Sequence, residues 1–200
     1  MDVSFASMRT TDLLGGDLEA AVRTLLAEIG EDPLRDGLAG TPARVRRMYG
    51  ELTAGYQTDP ERLINGACFD VDYDEMVVVR DIEFFSLCEH HLLPFYGRAH
   101  VGYLPRGRVI GLSKIPRIVD MYAHRLQVQE RLTVQVADFL MERLEPKGVG
   151  CVVEASHLCT MMRGVRKQQA TMVTSSMLGR FRQDAKTRTE FLTFIGRGSD

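Results

Sequence analysis

Apolar residues that recur every three or four positions predict two helices near the start of the chain. The first spans residues 17–29 with Asp17 as its cap, and the second spans 41–52, with Thr41 as cap and Pro42 in the first turn. We expect the residues before the first helix to be mobile and the stretch between the two helices to be a loop.

Strand-like sequence follows an irregular stretch at 55–75. Residues 76–80 and 82–88 are rich in β-branched and aromatic side chains. Over 97–104, successive residues form two alternating sets, as expected for the two faces of a strand. The segment between these strands, 89–96, then reads as the loop of a β-hairpin.

Two longer helices and a second pair of strands complete the pattern. Helical spacing predicts helices over 111–122 and 128–144, strands fit 149–159 and about 168–177, and a short helix covers 187–195. This order of elements indicates an α+β fold in which an antiparallel sheet is covered on one face by the helix pair.

Composition and charge narrow the class of protein. The chain has 200 residues, 44% apolar and 26% charged, as is ordinary for a soluble globular protein. A formal net charge of −2 gives no global basic field to recruit nucleic acid, and no apolar run approaches the ~20 residues that span a membrane. Because the N-terminus lacks a signal-peptide pattern and four cysteines are too few for a disulfide scaffold, we expect a cytoplasmic protein.

Cysteine and histidine are concentrated in two short segments that predict a zinc site. Cys88 and His91 have the C-x-x-H spacing of a metal-binding turn, and thiolate and imidazole are ligands that zinc prefers. If the later strand continues through His157 to Cys159, then Cys151 shares its face but lies too far along the strand to bind the same ion. The better third ligand is therefore Cys159.

The spacing leaves the type of zinc site open. Structural sites have four protein ligands, whereas catalytic sites keep one position for water. His90 or His157 would complete a structural site, and in a catalytic site both would lie beside the metal as proton-transfer groups. Two spare histidines favour the catalytic type.

A cluster of cations predicts an anion site close to the metal. Ser113 and Lys114 begin a predicted helix, whose free N–H groups attract anions, and Arg117 lies one turn further on. Arg163 follows Cys159 by four residues and adds positive charge near the metal. Such a site suits a phosphorylated small molecule.

Two further positions have local sequence contexts that allow two explanations each. Gln129 and Glu130 begin the predicted helix 128–144, where a carboxylate suits the adjacent N1–H and N2–H donors of guanine. An acid stabilised by the helix dipole explains Glu130 equally well. Arg44 lies in the first turns of its helix and opposes that helix's dipole, so it is either a solvated cation or a residue with a role elsewhere.

Several of these segments, taken together, resemble the GTP cyclohydrolase I family. The motifs are Ser86-Leu87-Cys88-Glu89-His90-His91, Gly111-Leu112-Ser113-Lys114, Gln127-Val128-Gln129-Glu130-Arg131-Leu132-Thr133, and His157-Leu158-Cys159 with Arg163-Gly164. Thr41-Pro42-Ala43-Arg44-Val45 and Thr187-Arg188-Thr189-Glu190-Phe191-Leu192 are also similar. The likeness extends over about residues 17–195.

The resemblance implies a tunnelling (T-fold) architecture and an enzyme of nucleotide metabolism. It implies a flexible N-terminus at 1–16, an N-terminal helical region at 17–75 and a T-fold catalytic domain at 76–200. Subunits would assemble into a homodecamer with sites at their interfaces. The implied reaction is the zinc-dependent hydrolysis of GTP to 7,8-dihydroneopterin triphosphate and formate, which begins folate or tetrahydrobiopterin synthesis in one-carbon metabolism.

The resemblance also implies a role for each site residue. The zinc ligands would be Cys88, His91 and Cys159, and the catalytic residues would be His90, His157 and Ser113. Guanine would be bound by Glu130 with Gln129. The ribose triphosphate would face Ser113, Lys114, Arg117 and Arg163, and Arg44 would reach the phosphates in a neighbouring subunit's site.

Two other functions are compatible with parts of the pattern. In a non-catalytic zinc-stabilised anion-binding module, the metal would hold the hairpin to the distant strand and the cations would bind a partner. A related T-fold enzyme would act on another purine or pterin. The joint presence of the C-x-x-H turn, Cys159 and the cations argues against this last function.

Overall fold

The computed structural model describes residues 17–196, which fall into two compact units that divide after Glu51. The first unit contains helix α1 (Leu18–Glu28) and most of helix α2 (Thr41–Leu52), so both predicted helices are confirmed. Asp17 caps α1, because its carboxylate accepts a hydrogen bond of 2.9 Å from a backbone N–H of the first turn. The predicted mobile segment 1–16 lies outside the described residues, and the domain boundary expected at residue 75 stays a prediction.

The second unit is built around a five-stranded sheet with helices on both faces. Its strands are β1 (Cys68–Asp70), β2 (Val77–Cys88), β3 (Pro94–Leu104), β4 (Arg108–Ile110), β5 (Leu126–Gln127), β6 (Gly148–His157) and β7 (Met172–Gly179). Its helices are α3 (Pro60–Ile64), α4 (Lys114–Ala123), α5 (Gln129–Leu144), α6 (Leu158–Met161), α7 (Arg180–Gln183) and α8 (Ala185–Phe194), with a 3-10 turn at Ala54–Tyr56. The main sheet has the order β5-β2-β3-β6-β7, antiparallel except for the short β2–β5 pair, and β1 pairs with β4 separately.

The main core lies between the sheet and the helix pair α4 and α5. Alternate residues of β3 and β6 point into it, including the fully buried Phe95 and Val153, and α4 packs on β2 while α5 packs on β6 and β7. The opposite face carries a smaller cluster in which Phe181 and Phe191 meet edge to face, with ring centroids 5.3 Å apart. The predicted α+β fold, with its antiparallel sheet and helix pair on one face, is confirmed.

Glycine is required where the second cluster meets the sheet. A Cβ atom at Gly150 would lie 2.6 Å from a ring carbon of Phe181 and 3.0 Å from the ring of Phe191. At Gly102 it would lie 2.8 Å from the same Phe191 ring. The distances of 2.6 and 2.8 Å are shorter than carbon atoms tolerate, so the absence of a side chain at Gly102 and Gly150 lets these aromatic rings approach the sheet.

The structure corrects the sequence prediction in two places. The stretch 55–75 is not wholly irregular, because it contains α3 and β1. The strand predicted to run to Cys159 ends at His157, where the chain enters the helical turn α6. The turn is closed by Thr160, whose hydroxyl donates to the His157 carbonyl over 3.0 Å. Because Cys159 lies in this turn, the alternation of side chains along the strand does not determine where its thiol points. The choice of Cys159 over Cys151 nevertheless agrees with the structure, in which Cys159 is grouped with Cys88 and His91.

None of the helices between residues 17 and 196 is both long and apolar enough to cross a membrane.

Candidate metal centre and active site

A tight turn at the end of β2 brings two candidate ligands together. Buried Cys88 accepts hydrogen bonds at its carbonyl from the N–H groups of His91 (3.3 Å) and Leu92 (2.8 Å). Its own N–H donates to the carbonyl of Leu93 over 2.9 Å. Leu92 adopts a left-handed φ of 55°, which allows the chain to reverse within so few residues. The C-x-x-H spacing thus places exposed His91 against the buried thiol.

A second set of contacts fixes this turn to the start of α5. The backbone N–H of Glu89 donates to the Gln127 carbonyl over 3.0 Å, and its carboxylate pairs with the guanidinium of Arg131. Arg131 also donates from Nε to the side-chain oxygen of Gln127, which is 1% exposed. Sequence reasoning assigned no role to Glu89 or Arg131, although both lie inside the motifs quoted above.

Cys159 completes a group of three ligand atoms. The Sγ atoms of Cys88 and Cys159 and a ring nitrogen of His91 all lie within 4.8 Å of one another. Around one tetrahedral zinc ion, with Zn–S near 2.3 Å and Zn–N near 2.0 Å, ligand atoms are roughly 3.5–4 Å apart. The donor set therefore fits zinc after a small contraction, and three protein ligands leave a fourth position for water or substrate.

The surroundings of Cys159 have opposing effects on its thiol, and their net effect is a raised pKa. Burial raises the pKa of the Cys159 thiol, the neighbouring Cys88 thiol raises that pKa further, and the Arg163 guanidinium lowers it. Arg163 is thus close enough to act electrostatically on a candidate ligand, as the sequence predicted. A bound divalent ion would shift both thiols to thiolate far more strongly than Arg163 does.

Two of the remaining histidines, His90 and His157, have different surroundings. His90 is exposed, and its Nδ1 is 3.7 Å from Cys88 Sγ. His157 is half-buried, and its ring stacks on Phe95 with centroids 4.7 Å apart and planes 1° from parallel. Burial lowers the pKa of His157, and the nearby Glu130 carboxylate partly offsets that effect. Glu130 itself is exposed at the start of α5, where it is free to receive a ligand.

Gln129 differs from the expectation for a guanine-binding side chain. It is 1% exposed, and its Oε1 lies 2.8 Å from His157 Nε2. Its Nε2 has three protein acceptors within 3.1 Å. All polar atoms of this side chain are thus engaged inside the protein, and the binding of guanine by Glu130 with Gln129 stays a prediction.

The predicted anion-binding residues occupy varied positions. Ser113 is exposed at the N-terminal end of α4, and its side chain makes no capping hydrogen bond there. Half-buried Lys114 donates from Nζ to the Leu63 carbonyl over 2.8 Å, a contact that sequence reasoning missed. Arg117 is exposed one turn further along α4. Arg44 is exposed on α2 in the first unit, and its contact with a neighbouring subunit stays a prediction.

Comparison with known proteins decides the family. The family model described as GTP cyclohydrolase I matches residues 18–196. The chain belongs to the GTP cyclohydrolase I family. Relatives in this family, each named GTP cyclohydrolase 1, include a protein of Leptospira biflexa that is 58% identical over 91% of this chain and 100% of its own length. A protein of Synechococcus is 60% identical over 90% of this chain and 79% of its own length.

A solved structure of the archaeosine synthase QueF-Like in the apo form is more distant. It covers 54% of this chain and 97% of its own at 18% identity and a TM-score of 0.46, which is too low to carry an argument. Membership of the GTP cyclohydrolase I family therefore rests on the family model and the close relatives.

Proposed function

We propose that this chain is a zinc-dependent GTP cyclohydrolase I, which converts GTP and water to 7,8-dihydroneopterin triphosphate and formate. The observation that carries the proposal is the convergence of Cys88, His91 and Cys159, with His90 Nδ1 3.7 Å from Cys88 Sγ and His157 two residues before Cys159 in the chain. A structural zinc site would use at most one of these histidines, as its fourth ligand, and has no use for the other. Close relatives named GTP cyclohydrolase 1 support the choice of GTP as substrate.

Zinc held by the three ligands would supply Lewis acidity and an activated water for attack on the C8 atom of guanine. His157, beside this position, donates a proton to the imidazole nitrogen of the base as the ring opens. His90 and Ser113 are exposed and carry protons in the later hydrolysis and rearrangement. Their shared task is proton transfer at a substrate that other residues hold in place.

Substrate positioning falls to the carboxylate and the cations. Glu130 accepts the N1–H and N2–H donors of guanine, which selects guanine over adenine because adenine lacks that pair of donors. Arg163, Arg117 and Lys114 neutralise the triphosphate, and Lys114 exchanges its hydrogen bond with Leu63 for a phosphate oxygen. Holding both ends of GTP would fix the position of C8 relative to Cys88, His91 and Cys159, which is the orientational part of catalysis.

We also propose that the enzyme is a cytoplasmic homodecamer with sites at subunit interfaces, in which Arg44 reaches a neighbour's triphosphate. Strand β7 supports assembly, because it is an eight-residue strand at the edge of the sheet described for a single chain. Such an edge is a template for pairing with another subunit. Light scattering coupled to size-exclusion chromatography measures the mass, and a monomeric mass for active protein would refute this part.

Pterin absorbance after incubation with GTP and zinc tests the activity directly. The matched variants are Cys88→Ser and Cys68→Ser, since Cys68 is a half-buried cysteine outside the ligand group. We expect Cys88→Ser to lose both zinc and product, and Cys68→Ser to keep both. Full zinc content and full activity in Cys88→Ser would refute the ligand assignment, and zinc-loaded wild-type protein without product would favour the anion-binding module.

A further inference from the structure

We propose that Gln129 is a positioning residue that holds His157 in one tautomer, with hydrogen on Nε2 and the free lone pair on Nδ1. The catalytic consequence rests on the proposed function, whereas the hydrogen-bond assignment depends only on the structure. The contact that links the two residues joins Gln129 Oε1 to His157 Nε2 over 2.8 Å.

The orientation of the Gln129 amide is determined by its acceptors. The acceptors of its Nε2 are the Val153 carbonyl at 3.0 Å, the Met172 carbonyl at 3.0 Å and Thr174 Oγ1 at 3.1 Å. Carbonyl oxygens only accept hydrogen bonds, so the amide nitrogen has to face them. A flipped amide would place its oxygen against two carbonyls in a site from which water is excluded, which is costly.

Two threonines confirm the direction of the network. The Thr133 hydroxyl donates its single hydrogen to the backbone carbonyl of Gln129 over 2.8 Å. The 2.6 Å contact between Thr133 Oγ1 and Thr174 Oγ1 therefore uses the Thr174 hydrogen. Thr174 has no second hydrogen to offer, so it accepts from the Gln129 amide nitrogen. The two hydrogens on Gln129 Nε2 are thus shared among three acceptors, and its Oε1 is left to face His157.

The tautomer of His157 follows from this orientation. Because Oε1 of Gln129 only accepts, the ring nitrogen opposite it, Nε2, carries a hydrogen. A neutral imidazole has one N–H, so Nδ1 holds the free lone pair. The parallel stack on Phe95, which is 0% exposed, restrains the ring from the other side. The hydrogen bond and the stack thus hold the His157 ring from two sides.

Nitrogen NMR of histidine-labelled, zinc-loaded protein tests the tautomer without an activity measurement. The chain has five histidines, and a His157→Asn sample identifies the His157 signals. At a pH where the ring is neutral, we expect a protonated Nε2 and an unprotonated Nδ1. A ring with hydrogen on Nδ1, or a mixture of both tautomers, would overturn the proposal. Because no turnover is involved, this outcome is separate from any failure to convert GTP.

Steady-state kinetics with GTP separates positioning from substrate binding. Gln129→Met keeps the side-chain length but has no acceptor for His157, and we expect kcat to fall about 10–100-fold, as for other residues that orient a site group. KM for GTP should stay near the wild-type value. The comparison variant is Gln135→Met, which removes a half-buried amide on the same helix that accepts from Gln127 rather than from a site histidine. Because Gln127 contacts the turn that carries Cys88 and His91, zinc content is measured as well, and kcat per bound zinc should stay near the wild-type value.

The opposite kinetic pattern contradicts the proposal. A raised KM with unchanged kcat in Gln129→Met would identify a uniform substrate-binding contact instead. If Gln129→Met fails to fold, the tautomer of His157 measured in the wild-type protein still decides whether the proposal holds.

Discussion

Phe95 gives a prediction that separates stability from catalysis. Its buried ring meets two partners: it stacks on His157, and it contacts Phe84 edge to face with centroids 5.9 Å apart. Phe95→Leu removes both ring contacts but keeps an apolar side chain. The matched variant Phe84→Leu removes only the contact between the two phenylalanines, because Phe84 is 2% exposed and makes no ring contact with His157 among the described residues.

The expected magnitudes follow from the number of ring contacts that are lost. An aromatic pair contributes about 0.5–1.5 kcal/mol beyond its buried area. Both variants also lose buried apolar area, so Phe95→Leu, which loses two pairs, should cost about 0.5–1.5 kcal/mol more than Phe84→Leu, which loses one. For a chain of this size, each 1 kcal/mol lowers Tm by about 2–4 °C. Thermal unfolding measures the Tm shifts of both variants, and it is done at one fixed protein concentration because assembly makes Tm depend on concentration.

Activity distinguishes the two variants beyond their difference in stability. At 25 °C, where both should remain folded, Phe95→Leu should release formate from GTP more slowly than Phe84→Leu because His157 has lost its stacking partner. Equal kcat values per folded active site would refute the idea that this stack positions His157.

Three further predictions concern the cluster around Phe181 and Phe191, the turn that carries Cys88 and His91, and the buried thiol of Cys151. Gly150→Ala should destabilise the protein by about 1–3 kcal/mol in urea unfolding, because its Cβ would lie 2.6 Å from a ring carbon of Phe181; wild-type stability would contradict this. Glu89→Gln should weaken zinc binding about 10–100-fold in chelator competition, because the ion pair with Arg131 that orients the turn is lost, and unchanged affinity would remove that role. Burial raises the pKa of Cys151 to about 12, so this thiol stays protonated and should resist iodoacetamide at pH 8 in the native protein; rapid alkylation, located by mass spectrometry, would contradict its burial.

The sequence predicted the long elements well because their periodicity is strong. The helix expected at 128–144 is α5 (Gln129–Leu144), and the hairpin of β2 and β3 lies where the apolar pattern put it. Strands β1 and β4 have three residues each, too few to show a period, and only their pairing with each other makes them strands.

The site was predictable where its residues are close in sequence, and less so where contacts are distant. The C-x-x-H turn follows from local spacing, and the quoted motifs identify Cys159 through resemblance. Its actual position depends on the end of β6 at His157, which strand alternation cannot reveal. The partners of Gln129 come from β6 and β7, so its burial and its bond to His157 appear only in the folded chain.

The most direct test of the central claim is to follow the C8 carbon of isotopically labelled GTP in the presence of the zinc-loaded protein. If Cys88, His91 and Cys159 hold a catalytic zinc ion, carbon NMR should show labelled formate appearing in step with the pterin product, and removal of zinc by a chelator should stop both. Protein that carries one zinc ion per chain and leaves the label in GTP would contradict the account.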